Sequence, residues 1–458
     1  MMTDRIKNNL VKIVGPNNYT EKVMDLVAYS YDGSTFSGRP DCAVWVKTTD
    51  QVSQVLSLAN REKTPVIPRG AGTGISGNAV PAEGGIVLDI TRMNKILDVR
   101  IGDRLCVVQP GVVYNVLQAE LEPHGFFFPP DPASGKVCTL GGNVATNAGG
   151  LRAAKYGATR DFVLGLQVVL ASGEVMRIGA NTMKTSSGYD LTRLFVGSEG
   201  TLGVFTEITL KIAPRPAARA TALSTFDSVQ KAAEAICQIM YSDVTPSTLE
   251  YLDTSVIEML QKYSNTQIPP AKAILLVETD GNSRADVSEQ LQRVVRLLKR
   301  CQALEVNIAR SEEEAEGLWQ VRKSIPAMMG STGLSFMPED ITVPMSRISD
   351  YLEKCRDISR KRGLLILNFG HAGDGNFHTN ILYDPSNSSH MDQLEPARYD
   401  LHRLACELGG TLSGEHGIGM TKAGFMHLEH DAVSLGVMRR LKRVLDPNNI
   451  LNPGKLVL

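Results

Sequence analysis

The alternation of apolar and polar positions changes character once along the chain. Over residues 43–212, short β-branched runs at 44–46, 86–90, 107–109, 168–170 and 204–210 read as strands separated by loops rich in Gly, Pro and Asn. Two helices interrupt them. Asp50 is expected to cap one that carries Val52, Val55, Leu56 and Ala59 on a single face, and a second covers 112–121, stopped by Pro123 and Gly125. Beyond Pro214 and Pro216, strands such as 273–278 and 303–309 alternate with longer amphipathic segments at 228–242, 284–300 and 348–362. A further helix over 311–323 opens with Ser311 followed by Glu312, Glu313 and Glu314, an acidic first turn that complements the helix dipole rather than a cation site. The pattern predicts an α+β protein in two parts, 1–215 and 216–458.

Composition narrows the class. With 458 residues, 43% hydrophobic and 21% charged, the chain can bury two substantial cores and is neither disordered nor fibrous. The net charge of −1 leaves no electrostatic footprint for nucleic acid. Apolar runs such as 273–277 and 364–367 fall far short of the ~20 residues of a spanning helix, and the first ten residues lack the apolar stretch of a signal peptide. A cytoplasmic protein is expected. The seven cysteines are scattered, never closer than 32 positions, which predicts free thiols and excludes a zinc ribbon, an in-chain iron–sulfur cluster and a c-type haem site.

Three loops carry more glycine than plain connections need. The first, 68–77, runs Pro-Arg-Gly-Ala-Gly-Thr-Gly-Ile-Ser-Gly and satisfies G-x-G-x-x-G after a strand, but no helix fits before the next strand at 86–90. The Rossmann fingerprint therefore fails its context. Its backbone N–H groups can still form an anion nest, aided by Arg69, Thr73 and Ser76, although an ordinary tight connection competes with that reading. A second small-residue stretch, 139–150, follows the stiff corner 129–132; a third, 197–203, joins a helix to a strand. Together they suit a flat or extended ligand lying across them.

Seven of the eight histidines fall between 371 and 430. Within 371–378, His-Ala-Gly-Asp-Gly-Asn-Phe-His, the Asp374-Gly375 pair signals a two-residue hairpin turn. That turn would set His371 directly opposite His378, with Cβ atoms ~5 Å apart, a bite suited to one metal ion. Two polar residues decorating a hairpin is the competing reading. Glu415 and His416, set among glycines in 413–419, supply the counterweight: two imidazoles and one carboxylate form a ligand set with an open position, zinc first and iron or manganese next. His390, His402, His427 and His430 lie in polar helical stretches and are expected at the surface.

The three glycine loops, in this order, resemble the flavin-binding domain of the vanillyl-alcohol-oxidase/p-cresol-methylhydroxylase superfamily. The pairing of 371–378 with 413–419 resembles the FAD-linked D-2-hydroxyacid dehydrogenases, which include glycolate-oxidase catalytic subunits, D-lactate dehydrogenases and D-2-hydroxyglutarate dehydrogenases. The likeness runs nearly the whole chain, to 445–455. It implies a two-subdomain p-cresol-methylhydroxylase-type FAD-binding domain over 1–215. An α+β, ferredoxin-like cap domain follows over 216–458, with its last ~40 residues packing back near the flavin.

In the resemblance, the first loop (Arg69, Gly70, Gly72, Thr73, Gly74, Ser76) cradles the FAD pyrophosphate. The second (Asp131, Pro132, Thr139, Gly142, Asn143, Thr146, Gly149) and third (Glu199, Gly200) line the isoalloxazine and adenosine. Thr73 and Ser76 stand where some members attach flavin to a histidine, so the FAD should be non-covalent, and His124 has no role. His371, His378 and Glu415 are implied as ligands of one divalent metal, His416 as the base, and Arg322 as the grip on a substrate carboxylate. The stretch 336–344 lacks the lysine of D-2-hydroxyglutarate enzymes, which favours a small D-2-hydroxy acid, D-lactate or glycolate. The alternatives are a D-2-hydroxyglutarate dehydrogenase and a non-redox flavin transferase of the alkylglycerone-phosphate synthase type. Electrons should leave to a quinone, an iron–sulfur partner subunit or an electron-transfer flavoprotein, the last two as protein partners. Attachment to a membrane is expected only through such a subunit, and a dimer is compatible with the sequence.

Overall fold

The β-branched runs become strands in the computed structural model, which describes residues 2–456, and the chain distributes them over two units. The first takes the chain up to Gly149, then Ala158–Arg215, then everything from Glu415 onward; the second holds Gly150–Gly157 and Pro216–Gly414.

The first unit contains two main sheets. In one, β1 (Tyr19–Thr20), β2 (Cys42–Trp45), β3 (Val66–Arg69) and β4 (Ile86–Asp89) lie in the order β1-β2-β4-β3, with β2, β4 and β3 parallel. The helix Thr49–Glu62 makes the crossover and buries Val52, Val55, Leu56 and Ala59. Its cap is Thr48, whose hydroxyl accepts from the Gln51 N–H; Asp50 sits inside the first turn instead. Either position favours the helix dipole, which is why the sequence pattern alone misses the cap by two residues. The predicted second helix is shorter than expected, Tyr114–Leu121.

The other sheet is antiparallel. It orders β5 (Ile96–Arg100), β6 (Leu105–Val108), β8 (Val163–Val169), β9 (Val175–Gly179) and β10 (Val204–Lys211) as β5-β6-β10-β8-β9, while β7 (Phe126–Phe127) pairs with β11 (Ala213–Pro214). The end of the chain returns to this unit. Ile450 and Leu451 join the core around β2 to β4, and the Asn452 N–H donates to the Val66 carbonyl. Lys442 is buried and donates to the Thr201 and Leu451 carbonyls and to Asp446, so a charged side chain is fully occupied in holding the returning segment.

The second unit is built on one seven-stranded antiparallel sheet. Its strands are β12 (Ala218–Phe226), β13 (Thr248–Asp253), β14 (Ala273–Gly281), β15 (Glu305–Ile308), β16 (Ser335–Thr342), β17 (Leu365–His371) and β18 (Asn376–Tyr383), in the order β15-β12-β14-β13-β17-β18-β16. The first four, with helices Val229–Met240 and Arg284–Arg300, make a βαββαβ repeat in the 4-1-3-2 strand order of a ferredoxin-like fold. β16, helix Ile348–Arg362, β17, β18 and helix Ser388–Glu407 repeat that plan, with bridges at Thr411 and Ser413 to β16 in place of the last strand. The two repeats join edge to edge through β13 and β17. Four helices cover one face around Tyr251, Phe377 and Tyr351, and the helices Thr254–Tyr263, Glu312–Lys323 and Ile325–Ser331 cover part of the other. His402 belongs to the first of these layers: it is fully buried, 3.0 Å from Glu339, and not at the surface as its helical context suggested. A polar-looking helix position becomes core where the partner strand supplies an acid.

Candidate functional site

In the first unit the glycine loops enclose a cavity of about 350 Å³, within the range of small-molecule sites. Gly70, Gly72, Thr73 and Gly74 line it from the first loop. Pro132, Thr139, Gly142, Asn143, Thr146 and Gly149 do so from the second, and Glu199 and Gly200 from the third. Glu415 and His416 line it too, at the start of the returning segment. A Cβ on Gly70 would lie 2.2 Å from the Thr139 hydroxyl, so the first two loops close against each other only because that side chain is missing. At Gly74 and Gly142 a Cβ would press on Asn78 Oδ1 and Thr139 Oγ1, each at 3.3 Å, closer than ordinary van der Waals contact. A glycine-built cradle of this kind fits a flavin dinucleotide.

Three of the expected contact residues have protein partners of their own. Arg69 lines the cavity; it is buried, and its guanidinium donates to the Ala79 and Ala28 carbonyls and lies over Tyr29, so it also braces the first loop. Ser76 and Asp131 lie outside the lining. Ser76 is buried, its carbonyl accepting the N–H groups of Met420 and Thr421, while Asp131 accepts from the Tyr114 hydroxyl at 3.4 Å. Glu199 lines the cavity but also acts as a pin. Its buried carboxylate accepts from Ile418 N (2.7 Å), Gly419 N (2.8 Å) and Asn78 Nδ2 (2.6 Å), and burial pushes its pKa up despite those donors.

In the second unit the hairpin carries the histidines in a different register from the expected one. His371 pairs with Asn376 and Phe369 with His378, so the loop is the four residues 372–375 rather than Asp374-Gly375 alone. The wider loop lets the Gly373 N–H reach the Leu249 carbonyl on β13 and the Asp374 carboxylate accept from Asn376 N. Gly375 has φ +78°, and a Cβ there would meet the Val343 carbonyl at 2.1 Å. The shift of two residues leaves both imidazoles on one face, because strand side chains alternate with period two. Their Nε2 atoms stand 3.3 Å apart. Two nitrogens each 2.0–2.1 Å from a tetrahedral metal are separated by about 3.3–3.4 Å, so the pair fits a divalent cation.

A polar row extends across this face. Glu250 on β13 is the cross-strand partner of His371, and Asp340 on β16 that of His378. Glu250 Oε1 lies 2.5 Å from His371 Nδ1, and Oε2 accepts from Arg322 Nε at 2.7 Å. Burial alone would raise the Glu250 carboxyl, but His371 and Arg322 outweigh it and hold the pKa at about 2. Arg322, on helix Glu312–Lys323, lies over the Phe369 ring at 4.7 Å. Asp340 is fully buried and accepts from Asn376 Nδ2 (2.7 Å) and Ser413 Oγ (2.8 Å). The sequence reading missed Glu250 and Asp340. The available signal was an acid set between apolar neighbours in a strand, Glu250 between Leu249 and Tyr251, which globular strands rarely bury unpaired.

Comparison with known proteins gives a consistent set. Residues 40–179 match the family described as "FAD binding domain", and residues 215–456 match "FAD linked oxidases, C-terminal domain". The glycolate oxidase subunit GlcD of Bacillus subtilis is 39% identical over 458 residues, covering 100% of this chain and 97% of that protein. A D-lactate dehydrogenase of Anaerostipes hadrus is 35% identical over 429 residues, covering 91% and 90%. Among solved structures, p-cresol methylhydroxylase with substrate bound matches with a TM-score of 0.81 at 17% identity, over 99% of this chain and 96% of that one. That likeness shows the fold, an α+β architecture of the p-cresol methylhydroxylase type.

Proposed function

The chain belongs to the FAD-linked oxidase family, and from that premise we propose that it oxidises a small D-2-hydroxy acid, D-lactate or glycolate, to the 2-oxo acid. The observation that carries the reading is the imidazole pair of His371 and His378 at a metal-compatible 3.3 Å. The relatives named glycolate oxidase subunit and D-lactate dehydrogenase support the substrate class. When bound, non-covalent FAD supplies the hydride acceptor at N5, and a divalent cation, zinc first, supplies Lewis-acid stabilisation of the alkoxide.

The chain's own residues do the rest. His371 and His378, with Glu415 as the carboxylate of the set, hold the cation. Arg322 is tied to Glu250 through Nε, which leaves its Nη fork to grip the substrate carboxylate. His416 accepts the hydroxyl proton as the C2 hydrogen leaves with its electron pair, so the substrate gives up one proton and one hydride. β16 offers Glu339 and Asp340, both buried acids, and no lysine for a second carboxylate, which supports a monocarboxylic substrate.

The electrons pass to an external acceptor, a quinone, an iron–sulfur partner or an electron-transfer flavoprotein. None of the seven cysteines is in a disulfide, and their scatter in sequence gives no in-chain cluster motif. No helix among the described residues is long and apolar enough to cross a membrane, and we place the protein in the cytoplasm. Anaerobic bleaching of the flavin by a panel of D- and L-2-hydroxy acids, before and after chelation, tests the whole reading. D-lactate or glycolate should bleach it, and only with metal present. Bleaching by none of the panel, or equal bleaching after complete metal removal, would overturn it.

A further inference from the structure

Glu250 is fully buried, yet it spends each carboxylate oxygen on a different side chain of the polar row: Oε1 on His371 Nδ1 at 2.5 Å and Oε2 on Arg322 Nε at 2.7 Å. It also sits where the two βαββα repeats meet, on β13 of the first, opposite His371 on β17 of the second. A buried ion pair is a poor source of stability compared with apolar side chains of the same volume, so a charge at this junction asks for another reason. The two contacts supply one. A neutral imidazole carries a single N–H. With Nδ1–H donated to Glu250, the bare nitrogen is Nε2, the atom that faces His378 Nε2 at 3.3 Å. Arg322 is held at Nε and sits over Phe369 at 4.7 Å, so its planar head is fixed by a contact that takes only the Nε donor of the fork.

We propose that Glu250 is a positioning residue that sets two functional groups at once, fixing His371 with Nε2 bare for a metal and orienting Arg322 for a substrate carboxylate. The inference rests on the proposed reaction but names a role in neither proton transfer nor ligation. Glu250 acts through its two neighbours, and a single carboxylate on one repeat keeps the ligand and the clamp in register across the junction.

The test uses the full-length holoenzyme, with Co²⁺ as the probe metal. Glu250→Ala removes both contacts: Co²⁺ affinity should fall roughly 10- to 100-fold, and the KM for D-lactate or glycolate should rise about tenfold, with FAD content unchanged. Glu250→Gln keeps the shape and guards against a folding defect. Its amide has one acceptor end and one donor end, so it can serve only one partner and should impair either Co²⁺ affinity or KM much more than the other. Variants that bind Co²⁺ and substrate as wild type does would overturn the inference while leaving the proposed reaction standing. Wild-type protein that neither binds Co²⁺ nor oxidises any 2-hydroxy acid would sink both. A measurement without any variant completes the test: ¹⁵N-histidine spectra of metal-free wild type at pH 8 should show His371 protonated at Nδ1 and bare at Nε2, and the reverse tautomer would refute the role.

Discussion

The cavity of the first unit and the polar row of the second are made in opposite ways. The cavity is shaped by backbone and by side chains that are absent: Gly70 lets two loops touch, while Gly74 and Gly142 leave Asn78 and Thr139 uncrowded. Two of its charged groups, Arg69 and Glu199, are largely occupied in bracing neighbouring backbone. The row is shaped by side chains that are present, and each imidazole has a buried acid as its cross-strand partner. The contrast teaches where each kind of site is fragile. A backbone cradle tolerates exchange of its polar side chains and fails when a Cβ is added; a side-chain row tolerates small shifts of backbone and fails when one functional group is removed.

The strongest test of that contrast removes an imidazole. His371→Ala or His378→Ala should lower turnover by about a thousandfold or more, the loss of several kcal/mol of Lewis-acid stabilisation, while the purified protein stays yellow. Absorbance at the flavin band together with anaerobic reduction rates checks both halves, and a colourless variant would show that the two regions are not independent.

The converse change comes next. Gly70→Val should cost on the order of 1–3 kcal/mol through overpacking against Thr139, weakening FAD roughly 10- to 100-fold but leaving Co²⁺ binding intact. Fluorescence titration of the apoprotein with FAD measures it. Weakened Co²⁺ binding in this variant would contradict the division.

The smallest effect concerns the Glu199 pin. Its pKa is raised by burial, so the folded state holds the proton more tightly than the unfolded chain. That contribution is present below the ordinary carboxylate value of 4.5 and is lost as pH rises through the raised value. Thermal melts of wild type against Glu199→Gln should therefore show wild type losing ground as the pH climbs from 4.5, and a difference that stays flat with pH would remove the linkage.

Much of this was legible in the residues. The helices Arg284–Arg300 and Ile348–Arg362 run as their apolar spacing predicts, and no helix lies between β3 and β4 to complete a Rossmann site. The common face of His371 and His378 was legible as well, and it survived an error in the turn because an even shift in register preserves the face. The turn itself was not. Asp374-Gly375 is a sound local signal, but the hairpin widens to bond β13, a strand more than a hundred positions earlier.

By itself, then, the sequence determined what is local: which segments are strands and helices, which loops must be glycine, and which histidines share a side of a hairpin. Each follows from short-range sterics and from periodicity. The tertiary structure alone decided that Glu250 would meet His371 and Arg322, that His402 would be buried beside Glu339, and that the segment from Glu415 would return to the first unit. Those pairings join residues far apart in the chain, and only the packing of whole sheets fixes which distant side chain occupies the neighbouring position.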